Sequence, residues 1–197
     1  EPVEWIFEEA AAGTSFFVMA TFSLFLLILF FTDLDTMLLP NSVTRTGTAL
    51  GLGLAPWNPL LGSATHPSGA VPSRIFSALA GAALGVLLVL GIMGAWRLWV
   101  RGRLGPHATK EEKTGMGWGD LKMLALIGAF VGLRQVFFVT FLAAVLGSLV
   151  GLSLILAGRG GRHMPLPFGT FLSLAGLTAV FIGRPVVEWY LSLLGFP

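Results

Sequence analysis

Three aspartates, Asp33, Asp35 and Asp120, are the only ones in the 197-residue chain, and all three border long apolar runs. A carboxylate set against hydrocarbon is costly, which makes each of them a functional candidate. Two carboxylates brought together in a poorly solvated site cannot both stay ionised. They share a proton, so that one acts as base on a water while its protonated partner polarises a carbonyl. That is aspartic-peptidase chemistry, which needs neither metal nor cofactor. It requires one aspartate from each of two distant segments, and Asp33 and Asp120 can supply them. Asp35 lies two residues beyond Asp33, roughly 200° round a regular helix, and so points away from the same dyad. The competing reading is structural: the carboxylates cap helices, Asp120 as an N-cap, or meet lipid headgroups.

Other chemistries lack their residues. There are no cysteines, which excludes disulfides, thiol nucleophiles and thiolate-held metals. His66, His107 and His163 are isolated from one another and show no metal-ligand spacing, so no metal site is expected. No nucleophile-elbow motif marks a serine hydrolase. A net charge of +2 without a continuous basic stripe gives no nucleic-acid partner.

The elements that must position the aspartates are apolar helices. Charged residues make up 11% of the chain and hydrophobic ones 55%, against roughly 25% charge in an ordinary soluble domain. The apolar runs recur along the whole chain, which describes an all-α polytopic membrane protein whose partner is the lipid bilayer. Six membrane segments are expected, at about 14–32, 43–61, 75–99, 121–133, 136–156 and 168–182, with an amphipathic interfacial helix at 186–194. The fourth is short for a span. Glycine pairs at Gly81/Gly85, Gly128/Gly132 and Gly147/Gly151 read as close helix packing.

Charge then orients the chain. Arg45, Arg97, Arg101, Arg103, Lys110, Lys113, Lys122, Arg159 and Arg162 fall on one side of a six-segment path, leaving Arg74, Arg134 and Arg184 on the other. The positive-inside rule makes the first side cytoplasmic, with both chain ends outside. Residues 97–119 become the main cytoplasmic loop and 62–73 an outer loop, and Asp33 and Asp120 face the cytoplasm.

Three sequence stretches carry a family resemblance. Gly117, Trp118, Gly119 and Asp120 spell GxGD, followed by Leu121 and Lys122. Residues 31–41 read FTDLDTMLLPN, and residues 165–171 read PLPFGTF. In this order they resemble the two catalytic motifs and the Pro-Phe-Gly stretch of type IV prepilin peptidases. The resemblance implies Asp33 and Asp120 as the catalytic pair. It further implies no cofactor, a bacterial inner-membrane location, prepilins or pseudopilins as substrates, and a pilus or secretion machinery as the setting. Gly117 and Gly119 allow close backbone approach, so that an extended substrate can lie along the segment that enters the fourth helix. Lys122 matches the pattern as well, and its length suits either holding a carboxylate or snorkelling to the interface.

The sequence departs from the family in two respects. The two aspartates are farther apart along the chain than is usual, with the excess expected around 62–73. The paired CxxC motifs found in many members are absent, so cleavage is expected here without methyl transfer. Two other classes compete, a proton- or cation-coupled transporter and a non-catalytic assembly factor. The transporter would place carboxylates nearer mid-membrane and repeat broken helices in two halves, and the sequence shows neither pattern.

Overall fold

A computed structural model describes residues 4–61, 71–100, 117–158 and 166–193, with side chains from residue 13 onward. The three histidines, Pro165, most of the 62–73 and 97–119 loops, and Arg101, Arg103, Lys110, Lys113, Arg159 and Arg162 lie outside the described residues. The described residues form helices and no strands: α1 (Glu4–Thr36), α2 (Asn41–Gly53), α3 (Val71–Val100), α4 (Trp118–Leu156), α5 (Phe168–Thr178) and α6 (Arg184–Leu193). Short 3-10 turns follow α2, and a π turn, Ala179–Gly183, joins α5 to α6.

Four stretches are long and apolar enough to cross a membrane: Gly13–Thr36, Val71–Val100, Trp118–Leu156 and Phe168–Leu193. The protein is therefore an all-α polytopic membrane protein. Four differs from the six segments expected, for reasons of geometry. The second expected segment is realised as α2, whose 13 residues rise only about 20 Å, less than one helix needs to span the core alone, and the two 3-10 turns up to Leu61 carry the chain on to the end marked by Gly132. The fourth and fifth are both present as expected, as the two arms of α4 on either side of a break at Gly132 with φ 77° and ψ −179°, and together they make one of the four stretches. The interfacial helix at 186–194 is not separate, because the π turn leads from α5 into α6 without a gap.

Positive φ at Gly132 suits a residue without a Cβ, and the chain doubles back there. Thr140 and Ala144 line the same cavity as Gly117 and Asp120, whereas in one straight helix Asp120 and Ala144 would be roughly 36 Å apart. The break leaves carbonyls without helical partners. Buried Asn58 meets one of them, donating through Nδ2 to the Phe130 carbonyl at 2.7 Å while its Oδ1 accepts from Leu60 N–H at 2.9 Å.

The 118–131 arm is the centre of the molecule. Residues 123, 124 and 126–131 are all buried, which accounts for a sequence apolar on every face. On one side, a Cβ at Gly81 would lie 2.3 Å from the Gly128 carbonyl oxygen, and a Cβ at Gly128 would lie 2.2 Å from the Gly81 oxygen. Here α3 and the arm touch backbone to backbone. On a second side, Gly47 and Gly51 of α2 receive Leu126 and Phe130. Phe130 also stacks on Phe22 of α1, with ring centroids 4.7 Å apart. Gly176 of α5 lies close to Leu26 and Ile127. The first two expected glycine pairs thus divide their work, Gly81, Gly85 and Gly128 serving close approach and Gly132 the reversal.

This packing sets a matched test. Gly81→Ala or Gly128→Ala forces two backbones apart and should cost about 1–3 kcal/mol, read as a lower thermal midpoint in detergent. Gly91 has nothing within 4 Å of a Cβ, so Gly91→Ala should leave the midpoint in place or raise it slightly. Equal midpoints in all three variants would contradict the backbone contact.

Candidate active site

The buried face of α1 runs through Val18, Phe22, Leu26 and Leu29, and the next position in that 3–4 spacing is Asp33. The helix that packs its apolar stripe against the core therefore carries a carboxylate inward on its last turn. Asp33 is 4% exposed. Its Oδ2 accepts a hydrogen bond from the backbone N–H of Thr170 at 2.7 Å and another from the Thr170 hydroxyl at 3.1 Å. Asp35, two positions on, is exposed, as its angular offset requires.

Asp120 reaches the same region from the start of α4. Gly117 is the N-cap of that helix and Asp120 its third residue, so the carboxylate bends back and accepts the Gly117 N–H at 3.2 Å. The expected alternative of Asp120 as the N-cap itself is corrected by one turn, since it caps from inside the helix. Asp120 is 9% exposed, and its carboxylate belongs to the same cavity wall as Asp33.

A cavity of about 700 Å³ joins the two groups. Asp33, Asp120, Gly117, Gly119, Asn41 and Lys122 supply its polar and backbone wall, while Leu38, Leu39, Ile92, Trp118, Leu166 and Phe168 supply its apolar one. Gly119 lets α4 start against the loop after α1, because a Cβ there would meet the Leu39 side chain at 3.0 Å. Lys122 donates to Asn41 Oδ1. It binds the start of α2 to the start of α4, and the described residues show it holding neither aspartate. The turn between α1 and α2 is held by Met37, a non-glycine residue at φ 53°, so the cavity rim contains one backbone position in a sparsely populated conformation.

The cavity gathers Asp33, Asp120, Gly117, Gly119 and Lys122, and leaves Asp35 outside its lining. Sequence reasoning did not single out Gly169, Thr170 or Asn41. The first two stand in the PLPFGTF stretch and the third in the LLPN turn, so the motifs held them, but nothing in their residue types revealed their partners.

The known proteins that resemble this chain agree on one family. A family model described as the type IV leader peptidase family matches residues 20–152. A protein of Aeromonas salmonicida named prepilin leader peptidase/N-methyltransferase is 35% identical over 167 residues, covering 85% of this chain and 50% of the relative. Proteins of the same name from Pseudomonas putida and Burkholderia pseudomallei are 32% identical over 174 residues and 33% over 163. They are covered over 51% and 44% of their own length, by 87% and 83% of this chain. The chain thus spans about half the length of the curated relatives it matches. No solved structure matches it. With its two aspartates drawn to one cavity and a family model covering most of its length, the chain belongs to the type IV leader peptidase family.

Proposed function

We propose that residues 1–197 form the membrane-embedded catalytic domain of an aspartic endopeptidase that cuts the leader from prepilin-like substrates. The observation that carries this reading is the meeting of Asp33, from α1, and Asp120, from α4, as buried carboxylates in one cavity. The reaction follows from the pair. A water gives a proton to one carboxylate, its oxygen bonds to the scissile carbonyl carbon, and the carbonyl oxygen takes the proton of the other carboxyl. In the second step the resulting diol returns a proton to that second group. The C–N bond breaks, and the leaving nitrogen takes the proton held by the base. Peptide and water become acid and amine, and the dyad is restored.

The substrate class follows from the relatives' name and from the cavity's mixed lining, in which apolar side chains flank the carboxylates and suit a segment running from a polar leader into an apolar helix. We place the dyad on the cytoplasmic side of a bacterial inner membrane. Arg45, Arg97 and Lys122 belong to the elements around the cavity. Arg74, whose guanidinium donates to the Pro56 carbonyl, is roughly 27 Å along α3 from the cavity residue Ile92. Arg134 lies beside Gln135, which donates to the Leu60 carbonyl, and Arg184 follows Gly183, whose Cβ would meet Gln135. The sparse cations therefore cluster at the far end, as the positive-inside rule asks of an outer face. We assign peptide-bond cleavage, and no methyl transfer, to the residues of this chain.

Incubation of the purified chain with a prepilin in detergent should give the shortened product. Asp33→Asn and Asp120→Asn should each lower the single-turnover rate by roughly 10²–10⁴-fold, with membrane insertion intact. Asp35→Asn should stay within about threefold, a span set by its position outside the cavity lining and far below the loss of a proton-transfer group. Full activity in either dyad variant would remove that residue from the chemistry, and a dead Asp35→Asn beside an active Asp33→Asn would move the dyad by two positions.

A further inference from the structure

We infer that Gly169 and Thr170, at the start of α5, are positioning residues that hold Asp33 as the base of the dyad and leave Asp120 to carry the proton. The inference rests on the dyad reading above and deepens it by giving the two aspartates different roles.

The N-cap of α5 is Pro167, which makes Thr170 the third residue of the helix. Its N–H belongs to the first turn, where no intrahelical acceptor exists and the helix dipole favours negative charge. Asp33 is the acceptor, at 2.7 Å, and the Thr170 hydroxyl converges on the same oxygen at 3.1 Å. Both residues are buried, Thr170 at 7% and Asp33 at 4% exposure, so water does not compete for these bonds. Gly169 completes the seat. A Cβ there would stand 2.8 Å from Oδ2 and 2.9 Å from Cγ of Asp33, so the carboxylate lies directly against the glycine backbone and any side chain would displace it.

The consequence is an asymmetry between the two carboxylates. With Oδ2 of Asp33 filled by two donors, Oδ1 has none among the described residues and remains the oxygen that can take a proton from water. Asp120 receives a single and longer bond, from the Gly117 N–H at 3.2 Å. Hydrogen bonds donated to a carboxylate favour its ionised form, so the more fully supported member is the base.

A merely structural contact, in which Asp33 caps α5 and nothing more, makes a different forecast. The test uses single-turnover and steady-state cleavage of a prepilin by the purified chain and by Gly169→Ala, Thr170→Val, Thr170→Ser and Asp33→Asn. Loss of a hydrogen bond to a charged group should lower kcat of Thr170→Val by about 10-fold with KM unchanged. Thr170→Ser, which keeps the hydroxyl, should return to within about threefold of the parent. Gly169→Ala should lose more, about 10- to 100-fold in kcat. Unaltered kcat in Thr170→Val, a loss confined to KM, or a Thr170→Ser variant as slow as Thr170→Val would each overturn the assignment. If Gly169→Ala fails to insert, the valine and serine pair decides alone. An active Asp33→Asn would defeat the dyad itself, whereas an inactive Asp33→Asn beside a fully active Thr170→Val would defeat only the positioning role.

Discussion

A carboxylate can be kept inside an apolar bundle only where a donor awaits it, and in this protein the donors are the unpaired amides of helix starts. Asp33 is met by the first turn of α5, and Asp120 by the N-cap amide of its own helix. Both solutions depend on where those helices begin. The start of α5 lies beside the end of α1, and the start of α4 lies beside the loop that follows it, with Leu39 against Gly119. The rest of the bundle serves to hold three helix ends in register.

That register comes from the central 118–131 arm. It touches α3 through backbone, α2 through glycine gaps, α1 through the Phe22–Phe130 stack and α5 through Ile127. Packing by small residues suits a membrane protein, in which burying apolar surface from lipid yields little and close van der Waals contact must supply the difference. Among the buried polar side chains, the dyad lies at one end of the bundle and Asn58 with Gln135 at the other. Asn58 answers the break at Gly132, and Asp33 answers the start of α5. Asn58 and Asp33 therefore each have a local backbone cause.

Much of this was legible in the residues. Apolar composition shows a membrane bundle, and the GxGD and LLPN stretches mark the two segments that supply carboxylates. The angular offset of Asp35 is plain helix geometry, and the buried stripe Val18–Phe22–Leu26–Leu29 points to Asp33 once its spacing is followed. A reversal between residues 133 and 136 was legible, but the positive-φ break at Gly132 that makes it was not. One glycine among 26 does not declare its φ, and the runs on its two sides read equally well as separate segments. Nor was the partnership of Thr170 with Asp33, because an amide at a helix start bonds whatever the fold brings to it, and that contact spans 137 residues of sequence. α2 was overestimated because its 3-10 extension is apolar too, and hydropathy does not register the loss of helical geometry after Gly53.

The hairpin at Gly132 also constrains how the protein is made. Its first arm rises only about 21 Å, less than the hydrocarbon core of about 30 Å, and beyond Asp120 and Lys122 at its start it is apolar on every side, with no polar face to lie flat at the surface. Such a segment is poorly matched to the bilayer as an independent unit during synthesis. Its natural partners are the longer 133–156 arm and the helices it packs against in the bundle. The seat of the dyad therefore needs chain made after both aspartates, since Thr170, which holds Asp33, follows Asp120 in the sequence.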